Sequence, residues 1–209
     1  MGKSEPVAAG LGFLSFSQQL KEISLFFEGR DNVHKTLRRL TTRLEKANIP
    51  YAIVGAMALA AHHYRRATTD VDLLLTAAGF TEFEKRFVPK HYERTPGRKR
   101  RLVDRINGIT IDILITGLFP GTGKPGPIAF PDPTAVSEPI DRKPVVKLAP
   151  LIELKLAARR WRDFADVVEL IRFNDLGESF AAQLHPSVRS DYIECLEEKK
   201  REDEYEAQQ

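Results

Sequence analysis

Over residues 13–48 apolar positions return at helical spacing: Leu20, Ile23, Phe26 and Phe27, then Val33, Leu37, Leu40 and Leu44. Gly29 and Asp31 interrupt the run, so the pattern predicts two helices, the second beginning at Asp31, whose carboxylate can accept from unpaired N–H groups of a first turn. Asn48 and Pro50 stop that helix, and residues 51–54 read as a short apolar strand running into Gly55. The alanine-rich residues 57–64 have high helix propensity. Residues 70–76 then read as a strand, and a short helix is predicted over about 80–87. Residues 101–106 and 109–115 flank Asn107-Gly108, a dipeptide that enters positive φ readily and predicts a two-residue hairpin turn.

Residues 117–144 hold seven prolines and four glycines, which argues against helix or central strand and predicts a long loop. A strand is expected to resume over 145–148. Beyond it the chain turns helical, with Leu151, Leu154, Ala158, Val167, Leu170 and Ile171 in apolar stripes, Trp161 packing between helices, and a last helix starting near Val188. The predicted organisation is α/β (α+β): N-terminal helices over 1–48, a core with a small mixed sheet over 49–148, and a helical region with a charged tail over 149–209.

Composition narrows this picture only a little. A 42% hydrophobic fraction fills a real core, and a net charge of +3 over 209 residues does not by itself demand nucleic acid or a membrane. Basic residues do crowd locally at Arg94, Arg98, Lys99, Arg100, Arg101 and Arg105, a patch suited to polyanions. The single cysteine, Cys195, excludes an internal disulfide framework and a cysteine metal cluster. No apolar run is long enough to span a membrane and the first residues lack the pattern of a signal peptide, so a cytoplasmic protein is expected.

The chemistry concentrates in VGAMALAAHHYRRATTDVDLLL, residues 54–75. Carboxylates within an aliphatic strand are costly unless paired. Asp70 and Asp72 are two residues apart, hence on one face, with Val71 and Leu73 on the other. In ITIDILI, residues 109–115, the same parity sets Asp112 opposite Ile109, Ile111, Ile113 and Ile115. If the two strands are neighbours, three carboxylates converge, and two of them so close need either a proton or a hard cation such as Mg²⁺ or Mn²⁺. Gly55 before a helix would let backbone N–H groups approach an anion such as a phosphate. Arg65 and Arg66 either pair with the acids or grip phosphate. His62 and His63, being adjacent, face different sides of a helix and make no joint metal site. Gly121-Thr122-Gly123-Lys124 is followed by Pro125 where a phosphate-binding loop needs Ser or Thr, and is rejected as one.

The order VGA, TDVDLLL and ITIDILI, with the spacing Arg66-x-Thr68-x-Asp70-x-Asp72 and LKLAARRWRDFADVVEL downstream, resembles the nucleotidyltransferase superfamily typified by DNA polymerase beta, and within it the bacterial branch of AbiEii-type toxins. The likeness covers roughly residues 51–173. It implies a transferase moving a nucleoside monophosphate from an NTP to a hydroxyl acceptor, with metal held by Asp70, Asp72 and Asp112, the last of which binds one ion or helps deprotonate the acceptor. It further implies nucleotide contacts at Gly55, Ala56, Arg66, Thr68 and Lys155, and matches Asp163 and Asp166 to acids of the family's helical part. Ala56 departs from the family's Gly or Ser at that position and removes any hydroxyl contact to phosphate. An RNA or tRNA acceptor along Arg98, Lys99, Arg100 and Arg101 and an antitoxin-like protein partner belong to the same expectation. The alternative is a catalytically degenerate module that binds nucleotide or RNA and acts through a partner protein.

Overall fold

The computed structural model describes residues 15–209; the first fourteen residues of the expected 1–48 segment, including its predicted helical start at Phe13, lie outside them. The elements follow in the order α1 (Phe16–Phe27), α2 (Asn32–Lys46), β1 (Tyr51–Ile53), α3 (Gly55–Ala61), β2 (Asp70–Leu75), α4 (Ala77–His91), β3 (Tyr92–Arg94), β4 (Arg101–Asp104), β5 (Thr110–Ile115), α5 (Pro133–Val136), β6 (Ser137–Ile140), β7 (Lys143–Val146), α6 (Leu148–Ala158), α7 (Trp161–Phe173) and α8 (Arg189–Glu206). Two 3₁₀ turns lie between α7 and α8. The fold is mixed α/β.

Local signals account for most boundaries. Asp31 caps α2 by accepting from Val33 N (2.6 Å) and His34 N (3.3 Å), and Val33, Leu40 and Leu44 bury the apolar face the spacing predicts. On α1, by contrast, Leu20, Ile23 and Phe27 face outward and Phe26 is buried.

Among the described residues seven strands form one sheet in the order β3-β4-β5-β2-β1-β7-β6. The pairs β2/β5 and β1/β7 are parallel and the other four are antiparallel. Its centre is apolar: Val71, Leu73, Leu74, Leu75, Ile111 and Val146 are buried, and Leu151, Ile152 and Leu156 of α6 and Leu170 and Ile171 of α7 belong to the same core. Each such side chain contributes about 1.5–3 kcal/mol of transfer free energy.

Two segments depart from the sequence reading. The hairpin β4/β5 forms, but its strands end at Asp104 and Thr110, and of the expected turn pair only Gly108 adopts positive φ (+67°). Asp104 sets this wider loop. Its carboxylate is buried and accepts from Thr36 Oγ1 (3.2 Å), Arg39 Nη2 (2.5 Å) and the backbone N–H of Asn107 (3.0 Å), while its carbonyl accepts from Gly108 N (2.8 Å). The proline-rich stretch also holds more structure than predicted, namely α5 and the hairpin β6/β7. Asp132 caps α5 with Pro133 in its first turn, where a missing N–H costs nothing. Pro139 lies in β6, an edge strand, which tolerates proline, and stands opposite Pro144 in β7, where pairing with β1 is at the next residue, Val145.

Candidate active site

Parallel pairing of β2 with β5 sets Asp72 directly opposite Asp112 and Asp70 opposite Thr110. The pleat sends Asp70, Asp72 and Asp112 to the same face, while Val71, Leu73, Ile111 and Ile113 are buried on the other. Beneath them Gly55 has φ +59°, and a Cβ there would lie 1.9 Å from Asp72 Oδ2. Glycine is therefore required twice, by the backbone and by contact. The anion Gly55 approaches is the protein's own Asp72 carboxylate, where the sequence suggested a phosphate. Ala56 is buried behind it, 4% exposed.

This crowding has an electrostatic consequence. Burial first, and then the neighbouring charges of Asp70 and Asp112, push the Asp72 carboxyl up to about 7, with Lys155 and Arg160 opposing. Thr68 Oγ1 donates to Asp70. Asp112 accepts a bidentate pair from Arg101, with Nε to Oδ1 at 2.8 Å and Nη2 to Oδ2 at 2.7 Å. The antiparallel register places Arg101 directly across from Asp112.

A second charged network lies alongside. Lys155, which could have been a solvated helix residue, is 7% exposed and donates to Asp166 Oδ2 (2.6 Å) and Asp163 Oδ1 (3.3 Å). Arg66 takes a partner the sequence reading did not name: it grips Asp166 through Nε (2.7 Å) and Nη2 (2.9 Å). Arg160 Nε donates to Asp163 Oδ2 at 2.5 Å. Burial works to raise the Asp166 carboxyl, but Arg66 and Lys155 overcome it and hold that group below the usual carboxylate range. Three cations against two anions leave the network with a formal charge of about +1.

A cleft of about 690 Å³ opens between the acidic face and this network. Asp72, Asp112 and Gly55 line it, together with Lys155, Arg160 and Asp163 of the network and with Arg98, Lys99, Arg100 and Arg101. Asp70, Thr68, Arg66 and Ala56 stand outside that lining. Gly121 and Gly123 also border the cleft, and a Cβ at Gly121 would come within 2.6 Å of Ala158 O, so this loop is packed on the end of α6. Trp161 is a correction: it lies at the start of α7, 92% exposed, and packs between no helices. Sequence reasoning also missed Arg101 as the partner of Asp112 and Arg160 as the partner of Asp163. The first was visible only as the position across a hairpin whose register the turn signal misjudged, the second as an i,i+3 pair.

The donor chemistry suits a divalent cation in part. Asp70 and Asp72 offer hard oxygen ligands on one face, and the crowding at Asp72 is relieved by added positive charge. Both oxygens of Asp112 are committed to Arg101, and among the described residues no group of three or more His, Cys, Asp or Glu side chains is arranged to hold a metal ion. Asp70 and Asp72 therefore fit such an ion, with Asp112 withheld.

No family model matches the sequence, and no curated protein matches it. Among solved structures the chain is similar to a Thermotoga maritima protein described provisionally as a nucleotidyltransferase (18% identity, 55% of this chain and 76% of that one, TM-score 0.41). It is similar also to the antibiotic-resistance factor ANT(2″)-Ia in complex with adenylyl-2″-tobramycin (12% identity, 78% of this chain and 97% of that one, TM-score 0.46). A third is an antigenic nucleotidyltransferase-like protein from Paracoccidioides brasiliensis (15% identity, 76% of this chain and 91% of that one, TM-score 0.42).

Proposed function

We propose that this protein transfers a nucleoside monophosphate from an NTP to a hydroxyl acceptor, releasing pyrophosphate. The observation that carries the reading is the pair Asp72 and Asp112, side by side on parallel strands with Asp70 on the same face, opening into a cleft that Lys155 and Arg160 also line. A carboxylate cluster and cationic side chains lining one space of nucleotide size are suited to positioning a polyphosphate for in-line attack. Asp70 and Asp72 would hold Mg²⁺ or Mn²⁺, which when bound would offset charge developing on the phosphoryl oxygens and the leaving pyrophosphate.

The chain's own groups do the rest. Lys155 and Arg160 attract the polyphosphate, the network keeping an excess positive charge after its own acids are counted. Gly55 and Ala56 present the backbone amides that open α3. Arg66 and Thr68 act at one remove, Arg66 by bracing Asp166 and Thr68 by orienting Asp70. Asp112 faces the cleft and, once free of Arg101, would either ligate a metal ion or help deprotonate the acceptor hydroxyl. Arg98, Lys99 and Arg100 suit an RNA or tRNA backbone. An AbiEii-like biological role, an antitoxin-like partner and a cytoplasmic location complete the proposal. No helix among the described residues is long and apolar enough to cross a membrane.

The test is incubation of the protein with each labelled NTP, Mg²⁺ and total cell extract. The expected result is a labelled species and pyrophosphate release by wild type, both lost in Asp72→Asn. If both proteins bind NTP alike and neither releases pyrophosphate with RNA, protein or small-molecule acceptors, the enzyme reading fails. The protein is then a nucleotide- or RNA-binding module.

A further inference from the structure

We infer that Arg101 is a latch on the third carboxylate: without ligand it occupies Asp112, and when a nucleotide enters, its guanidinium passes to the polyphosphate and releases Asp112 to a cation. The inference rests on the nucleotidyl-transfer reading. It concerns what makes the site complete, since Asp70 and Asp72 alone are free to ligate.

Backbone register aims the latch. Arg101 on β4 and Asp112 on β5 are directly paired, so both side chains leave the sheet on the cleft face, and the pairing continues through Ile113 N to Arg100 O at 2.9 Å. The strand cannot turn Arg101 away; only the side chain can move. In its present position it directs two of its N–H donors at the two oxygens of Asp112, so a cation approaching either oxygen meets a charge-assisted bond and the guanidinium's own positive charge.

Exposure makes the contact reversible. The Arg101 side chain is 44% exposed and that of Asp112 24%, whereas in the Arg66–Asp166 pair the values are 20% and 2%, with Lys155 bracing the same acid. Breaking an exposed pair shifts an equilibrium by about fivefold, whereas breaking a buried one leaves a charge stranded. Arg101 therefore releases readily where Arg66 does not. The planar fork that matches a carboxylate also matches a phosphate, and Arg101 already lines the cleft that would receive one. Arg101 is thus a positioning residue in the free protein and a substrate contact once nucleotide is bound.

The test reads Mn²⁺ affinity on the full chain without nucleotide, from the paramagnetic resonance signal of free Mn²⁺, for wild type, Arg101→Gln and the double variant Arg101→Gln/Asp112→Asn. Affinity for α,β-methylene-ATP in the presence of Mn²⁺ is measured beside it. The expected result is Mn²⁺ binding about fivefold tighter in Arg101→Gln, with the gain absent from the double variant. The analogue is expected to bind about tenfold more weakly to Arg101→Gln. A merely structural role for Arg101 would weaken Mn²⁺ binding, so equal or weaker binding in Arg101→Gln overturns the latch. If wild type still binds both ligands in that case, the transfer reading survives. If neither wild type nor variant binds Mn²⁺ or the analogue, that reading falls and the latch with it.

Discussion

Replacing Asp72 by asparagine will stabilise the metal-free protein above neutral pH. The folded chain moves the Asp72 carboxyl from 3.8 to about 7. Between those values the folded state keeps a proton that the unfolded chain has lost. Stability therefore falls as pH rises through this window and is flat above about 7. A rise of about 3 units at about 1.4 kcal/mol each sets a ceiling near 4 kcal/mol, and water reaching the partly exposed side chain reduces the expected gain to about 2 kcal/mol. Asparagine keeps the shape that fits against Gly55, removes the charge at every pH, and can donate to a neighbouring carboxylate. The assay is urea unfolding of wild type and Asp72→Asn in a chelating buffer at pH 5 and pH 8. The variant is expected to be more stable, by a margin that widens from the lower pH to the higher. Added Mg²⁺ is expected to close the gap by stabilising wild type alone. A variant less stable than wild type at pH 8, or a gap of the same size at both values, would refute the account of Asp72 as a crowded carboxylate.

Gly55→Ala will cost at least about 2 kcal/mol, combining left-handed strain with the clash against Asp72, and only the part due to the carboxylate will vanish in an Asp72→Ala background, since the strain and the 2.9 Å approach of the residue-72 Cβ remain; equal costs in both backgrounds would show that the carboxylate is not part of the cause. Lys155→Met will destabilise by about 3 kcal/mol, since it leaves Asp163 and Asp166 buried with less compensation, and a neutral result in urea unfolding would count against the network as described. Trp161 is the sole tryptophan, so the intrinsic fluorescence will be that of a solvent-exposed indole, freely quenched by acrylamide, and Trp161→Ala will change stability by less than about 0.5 kcal/mol; a blue-shifted, protected emission would place Trp161 in a packed interface instead.

What could be read in advance was whatever a few neighbouring residues decide. Asp31 as a cap, the apolar face of α2 and the alternation that puts Ile111 and Ile113 inward and Asp112 outward all follow from periods of 3.6 and 2 and from the hydrogen-bonding needs of a helix end. The same parity put Asp70 and Asp72 on one face of β2. Reading failed where a distant group overrode a local preference. Asn107-Gly108 has the chemistry of a two-residue turn, but the Asp104 carboxylate, held by Thr36 and Arg39 from α2, recruits the Asn107 N–H into a wider loop. Prolines in the 117–144 stretch argued for loop alone, but an edge position and a helix start accommodate them. Trp161 looked like packing because it is large and apolar, and its place at the first residue of α7 leaves it no facing element.

By itself, then, the sequence determined the cap of α2, the strands β1, β2 and β5 and the face each side chain takes along β2 and β5, but not β3, α5 or β6, because backbone sterics and the hydrogen-bonding of chain ends act over a handful of residues. Only the tertiary structure decided who meets whom. The juxtaposition of Asp72 with Asp112 depends on the parallel register of β2 and β5, the joining of Arg66 to Lys155 depends on an Asp166 a hundred residues from the arginine, and the hold of Arg101 on Asp112 depends on where β4 ends. Each is a pairing of charges across strands or helices, set by how apolar faces pack and strands align over the whole sheet.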